Sequence, residues 1–203
     1  LNRDLTKMGS LCEEALALAA KALANADGQT AAKIAPIDSE IDQMERTIES
    51  LCLKLLLQQQ PVARDLRQIS AALKMITDME RIGDQASDIA EIIGFLNGRI
   101  GTDAQYICQM AVAAMRMVTE SVEAYVKRDV AMAEATIQHD DVVDDLFLKV
   151  KESLIQMISE NPKDGEYALD LLMIAKYFER IGDHATNIAE WVVFSVTGVH
   201  EQG

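Results

Sequence analysis

This 203-residue chain is poor in proline, cysteine and aromatic residues, with three prolines, three cysteines and 4% aromatics. Scarce proline leaves long stretches free of helix breakers. Cys12, Cys52 and Cys108 each sit alone in an apolar helical pattern, and no Cys-x-x-Cys spacing competes with reading them as buried free thiols, which points to a reducing cytoplasm. No apolar run reaches the length of a membrane span. Basic residues are outnumbered, and a formal net charge of −14 argues against a nucleic-acid backbone as partner. No segment alternates with period two, which removes the case for a sheet. Catalytic signatures are missing as well: there is no Walker-type phosphate loop and no plausible nucleophile–base pair. Helical di-iron oxidases and ferritins need Glu-x-x-His, but the residues three before His139, His184 and His200 are Thr136, Ile181 and Thr197. An enzyme is therefore not expected.

What the chain has is helix-forming material. Its hydrophobic fraction of 49% is drawn mainly from Ala, Leu, Ile and Met. Leu5, Met8, Leu11/Cys12, Ala15/Leu16, Ala19 and Leu23 recur at three-to-four spacing, an amphipathic helix ending near Asp27. Further helices are expected at about Thr30–Leu57, Ala63–Leu96, 103–127, 130–159 and 165–196, with a break at Asn97-Gly98-Arg99-Ile100-Gly101. Joined by short loops, six helices of this length must fold back on one another. The fold class is all-α: six long antiparallel helices forming a tandem repeat of two three-helix bundles, residues 1–98 and 102–198. Pro36 predicts a kink in the second helix. Its counterpart is Gln138, so the kink is expected in the first half only. The chain opens on Leu1 with no capping residue, and part of the first helix's natural start is expected to be missing.

The repeat itself is explicit. Met79-Glu80-Arg81-Ile82-Gly83-Asp84-Gln85-Ala86-Ser87-Asp88-Ile89-Ala90-Glu91 returns as Phe178-Glu179-Arg180-Ile181-Gly182-Asp183-His184-Ala185-Thr186-Asn187-Ile188-Ala189-Glu190, identical at nine of thirteen positions. Upstream, Asp38 and Asp42 match Asp140 and Asp144 at an offset of 102, which falls to 99 at the repeated motif. The lost residues belong to the turns marked by Pro61, Pro162 and Gly165.

Acids at i and i+4 share a helix face and repel mildly. Counting outward from the turns near Gln60 and Asn161 places Asp42 level with Glu80 and Asp38 level with Asp84. It likewise pairs Asp144 with Glu179 and Asp140 with Asp183. Four carboxylates converging on one patch repel unless they are protonated or bridged by cations, and hard oxygen donors suit Fe, Mn, Mg or Ca. The bland reading is a solvated face paired with Arg46, Arg81, Lys149 or Arg180. Matched pairs on two helices, repeated in both halves, favour metal. Asp88 extends the first patch by a turn, whereas Asn187 offers only a neutral carbonyl, so the two sites should differ. Gly83 and Gly182, mid-helix between the acids, point to close approach by a neighbouring helix. His139 and His184 read as surface residues and Trp191 as packing.

The doubled Glu80-Arg81-Ile82-Gly83-Asp84 motif, each copy after an Asp-x-x-x-Asp helix, resembles the PhoU family of phosphate-uptake regulators. So does Gln60-Pro61-Val62-Ala63-Arg64-Asp65-Leu66-Arg67. The resemblance spans about residues 1–198. It implies multinuclear clusters of divalent or ferric ions (Fe, Mn, Zn, Mg or Ca), with Asp38, Asp42, Glu80, Asp84 and Asp88 as ligands of the first and Asp140, Asp144, Glu179 and Asp183 of the second. It also implies a homodimer in the cytoplasm that links a phosphate ABC transporter to a sensor histidine kinase. A structural or storage metal protein is the alternative.

Overall fold

The computed structural model describes residues 1–58, 60–99 and 104–199. Ile100 and Gly101 of the expected break, and His200, lie outside the described residues. Among the described residues the chain is helical, without strands. The first half comprises α1 (Asn2–Asn25), a single turn α2 (Gly28–Ala31), α3 (Ile34–Gln58) and α4 (Ala63–Phe95). The second comprises α5 (Gln105–Lys127), α6 (Val130–Gln138), α7 (Asp140–Glu160) and α8 (Gly165–Thr197). Taking α2 with α3 and α6 with α7, these are the six long segments expected.

The repeat holds at the level of individual bonds. α1 ends on Ala26 in the left-handed conformation (φ 47°), and the Asp27 amide donates back to the Ala22 carbonyl at 2.9 Å. α5 ends the same way on Arg128 (φ 59°), with Asp129 donating to Ala124 at 2.9 Å. Both are the Schellman closure, made here without glycine. Asp27 and Asp129 then cap α2 and α6 by accepting from the amides of Gln29 and Met132.

The kink expectation needs correction. Pro36 lies in the first turn of α3, where its missing N–H has no helical partner to lose, and the break falls before it at Ala32–Lys33. The second half is interrupted too, at His139, with no proline nearby. There the buried Thr136 hydroxyl donates to the Met132 carbonyl four residues back, a bond that bends helices.

α4 and α8, each 33 residues or about 50 Å long at 1.5 Å per residue, form the central pair. They run antiparallel. Asp78 meets His184 and Asn187, Asp88 meets Tyr177, and Arg99 lies 4.1 Å over the Tyr167 ring. α3 packs on α4 and α7 on α8, while α1 and α5 pack on each other and against the central pair. One apolar cluster passes through both halves, with Met79 and its repeat counterpart Phe178 fully buried in it. Cys12 and Cys52 are buried and Cys108 is half-buried, all as free thiols.

A core shared by both halves should unfold as a unit. Phe178→Ala is expected to cost about 3–5 kcal/mol through the cavity it leaves. Denaturant titration should show one transition, displaced as a whole, and two separate transitions would mean that the halves unfold independently.

Candidate metal centre

α3 carries Asp38 and Asp42, and α4 carries Glu80, Asp84 and Asp88. Carboxylate oxygens of Asp38, Asp42 and Asp84 lie within 4.8 Å of one another. Glu80 and Asp88 stand one turn to either side of Asp84. Asp38 spans the turn from Gly83 to Ser87, which contains Asp84. Its Oδ2 accepts from the Ser87 hydroxyl at 2.8 Å, while its Oδ1 is buried without a hydrogen-bond partner. A Cβ built on Gly83 would come within 2.7 Å of that Oδ1 and 3.1 Å of Ile41. The glycine therefore clears room for a carboxylate and a side chain of the neighbouring helix, rather than for its backbone.

In the second half, Asp140 presses on Gly182 in the same way, its Oδ1 3.1 Å from where a Cβ would stand. That oxygen too is buried and unpartnered. Thr186, the counterpart of Ser87, leaves its buried hydroxyl without a partner. Asp144 and Asp183 stand at the exposed edge and Glu179 is half-buried beside them. Among the described residues, only Asp38, Asp42 and Asp84 approach one another as closely as a shared ion requires.

The charges are frustrated in both patches. Burial, then the neighbouring carboxylates Asp84, Asp42 and Asp88, push the Asp38 carboxyl up, against the opposing Ser87 bond. Burial, followed by Asp144, Asp183, Glu179 and Asp141, pushes Asp140 up to about 6. Glu80 and Asp88 are raised as well, mainly by burial and then by Asp84. Arginine pairing answers part of this. Arg81 reaches Asp84 at 3.0 Å and Glu80 at 3.5 Å, and Arg46 reaches Asp42 at 3.9 Å. These pairs are solvent-exposed and contribute about 0–1 kcal/mol each. They leave the buried oxygens of Asp38 and Asp140 unanswered. Two orphaned carboxylate oxygens in glycine-cleared niches, in an all-oxygen donor set, fit a hard cation.

Two residues escaped the reading of the sequence. Glu45, three residues beyond Asp42, belongs to the first patch, where its carboxyl is raised by burial, then by Glu49 and Asp42. Lys176 belongs to the second, its ammonium paired with the Glu179 carboxylate. Aligning the halves column by column exposes both, because the counterparts are Phe147 and Thr77. The histidines stay out of the patches: His184 Nδ1 lies 2.8 Å from Asp78 Oδ1 and His139 Nδ1 3.4 Å from Glu120. Trp191 packs edge-on against Phe194. A groove of about 900 Å³ along α5 and α7, lined by Cys108, Val112, Val142 and Leu146, contains none of these acids.

The doubled architecture has a recognised counterpart. A family model described as the PhoU domain matches residues 5–93 and again residues 107–192. The chain belongs to the PhoU family. A Clostridium acetobutylicum protein named phosphate-specific transport system accessory protein PhoU homolog is 36% identical over 200 residues, covering 98% of this chain and 91% of that one. The crystal structure of PhoU from Pseudomonas aeruginosa matches with a TM-score of 0.92 at 34% identity, covering 97% of this chain and 95% of that one. The crystal structure of the phosphate transport system regulatory protein PhoU from Streptococcus pneumoniae matches with a TM-score of 0.88 at 25% identity, covering 98% and 95%.

On this PhoU scaffold the acid patches make two predictions. The folded state holds the Asp140 proton more tightly than the unfolded chain does. Without metal, stability should therefore fall as pH rises from the ordinary aspartate range through about 6. Asp140→Asn should raise the melting temperature at pH 7 in chelator and leave it unchanged near pH 3. A lower melting temperature at pH 7 would show that the ionised carboxylate already has a partner.

Gly83→Ala should separate fold from site. It gains about 1 kcal/mol of helix propensity but displaces the Asp38 carboxylate. Titration with Mn²⁺ is expected to show weakened binding in a variant whose circular dichroism and melting temperature stay close to the parent's.

Proposed function

We propose that this chain is a non-enzymatic, cytoplasmic regulator of phosphate uptake, linking a phosphate ABC transporter to a sensor histidine kinase and holding hard cations at its acidic patches. The observation that carries the reading is the near full-length likeness to relatives named as accessory and regulatory proteins of phosphate transport. Those names describe regulation and accessory roles, in keeping with a chain lacking catalytic signatures. Among the described residues no helix is long and apolar enough to cross a membrane, and in this reading the chain meets the membrane only through partners such as the transporter.

The site residues support a binding role. Asp38, Asp42 and Asp84, with Glu80, Asp88 and Glu45 around them, would hold cations on the first half, and Asp140, Asp144, Glu179 and Asp183 on the second. A bound cation supplies positive charge that relieves carboxylate repulsion and ties α3 to α4, or α7 to α8. The candidate ions are Fe, Mn, Zn, Mg or Ca, singly or as clusters, and homodimerisation belongs to the same reading. The outer acids Asp42, Asp84, Asp144 and Asp183 reach solvent at the borders of α3 with α4 and of α7 with α8, where a partner would read the metal state.

Deletion of the gene is expected to derepress phosphate-starvation genes in phosphate-rich medium, and the intact protein should capture transporter and kinase components. Asp84→Ala with Asp183→Ala should lower metal content and tell whether regulation requires it. Unchanged phosphate regulation together with iron accumulation in the protein would replace this reading with metal storage.

A further inference from the structure

The two patches share a backbone plan but differ in what faces the acids. In the first half the positions beside the cluster are Glu45 and Thr77. Thr77 is exposed and spends its hydroxyl on the Leu73 carbonyl of its own helix. In the second half the same positions are Phe147 and Lys176. The Lys176 ammonium pairs with Glu179 and lies 5.5 Å from the centre of the Phe147 ring. An acid and a hydroxyl have thus been exchanged for an aromatic face and the cation seated by it.

The surrounding groups register that charge. Partial desolvation and then Glu179 raise both Asp144 and Asp183, and Lys176 opposes the rise in each. Asp141 and Asp145 add negative charge beside Asp144, and His184, paired with Asp78, also opposes the rise at Asp183, less than Lys176 does. In the first half, Arg81 and Arg46 reach the acids from their solvent side.

We infer that Lys176 is a resident cation of the second patch, occupying with its ammonium the charge position that a metal ion would take beside Glu179, so that the first patch binds metal more tightly. The inference rests on the metal-binding reading above. It assigns Lys176 a positioning and specificity role: its ammonium already pairs with Glu179, one of the four carboxylates of the second patch, and the chain carries one strong and one weak site. Two helical hairpins of the same origin would then respond to different cation concentrations.

The test uses the full-length protein carrying Asp38→Asn, Asp42→Asn and Asp84→Asn, which removes the three carboxylates that converge in the first patch and leaves the second patch as the measured site. In that background Lys176→Met keeps the aliphatic stem over Phe147 and removes the charge. Mn²⁺ affinity, measured by calorimetry and by the electron paramagnetic resonance of free Mn²⁺, should rise on the order of tenfold, the scale left to one partly exposed charge after solvent screening. Lys176→Arg should keep the weak affinity. In the otherwise unaltered protein, Thr77→Lys should weaken the first site. Circular dichroism of each variant reports whether it is folded, and the paired Arg and Met substitutions separate charge from packing. Equal Mn²⁺ affinity in the Lys176→Met and Lys176 proteins, or a loss of affinity in Lys176→Met, would overturn the role assigned to Lys176 while leaving metal binding standing. No Mn²⁺ binding by the parent or by any variant would overturn the metal reading and this inference together.

Discussion

The antiparallel packing of α4 on α8 is the contact from which the rest of the structure follows. Each helix is about 50 Å long and buries an apolar stripe of small residues alternating with large ones. In α4 the stripe includes Ala72, Met79, Ala86 and Ile89, and in α8 it includes Ala175, Phe178, Ala185 and Ile188. Neither stripe is covered by its own half alone, so the two copies of the repeat complete each other's core. The pairing is pseudo-symmetric. Asp78 of the first half meets Asn187 and His184 of the second, and Tyr177 of the second meets Asp88 of the first. The difference between Asp88 and Asn187 thus has a reason independent of metal. Asp88 faces a phenol that donates to it, and Asn187 faces a carboxylate to which its amide donates.

That central seam also decides where the acids can be. With α4 and α8 facing each other, α3 and α7 pack on their outer flanks, and each carboxylate patch opens at the border between a central helix and a flanking one. Asp38 and Asp140 are pressed against the two glycines and lose much of their solvent there. Their neighbours remain wet. A patch with a desolvated base and a solvated rim is suited to an ion that is partly hydrated and partly held by protein oxygens. The frustration sits at the oxygens that face inward, while the outer acids are screened by arginines and water.

The halves have diverged by changing charge more than shape. The glycine niches, the Schellman closures and the capping aspartates are retained. Ser87 bonds its aspartate, whereas Thr186 leaves Asp140 without that bond. Glu45 and Thr77 have become Phe147 and Lys176. Such changes leave the helix path intact, because they fall on positions at the edge of the core, where Phe147 packs against it and Thr77 is exposed. They alter the potential that a cation would meet.

Apolar periodicity and the internal repeat were enough to read the all-α class, the six long segments and the nine candidate acids. These are local matters: a period of 3.6 residues defines a buried stripe, and counting along two helices from one short turn places residues at the same height. The count put Asp38 level with Asp84 and Asp140 level with Asp183, and the two aspartates rest against the glycines one residue before, Gly83 and Gly182. Counting cannot say which way a side chain points across unconnected helices, since one residue turns the direction by 100°. The antiparallel α4–α8 seam, the His184–Asp78 pair, the break at His139 and the unpartnered oxygens of Asp38 and Asp140 therefore became visible only with the tertiary packing. Glu45 and Lys176 belong between these cases. Their identities stand in the sequence, but their inclusion in the patches depends on where the flanking helices settle, and that is set by the shared core.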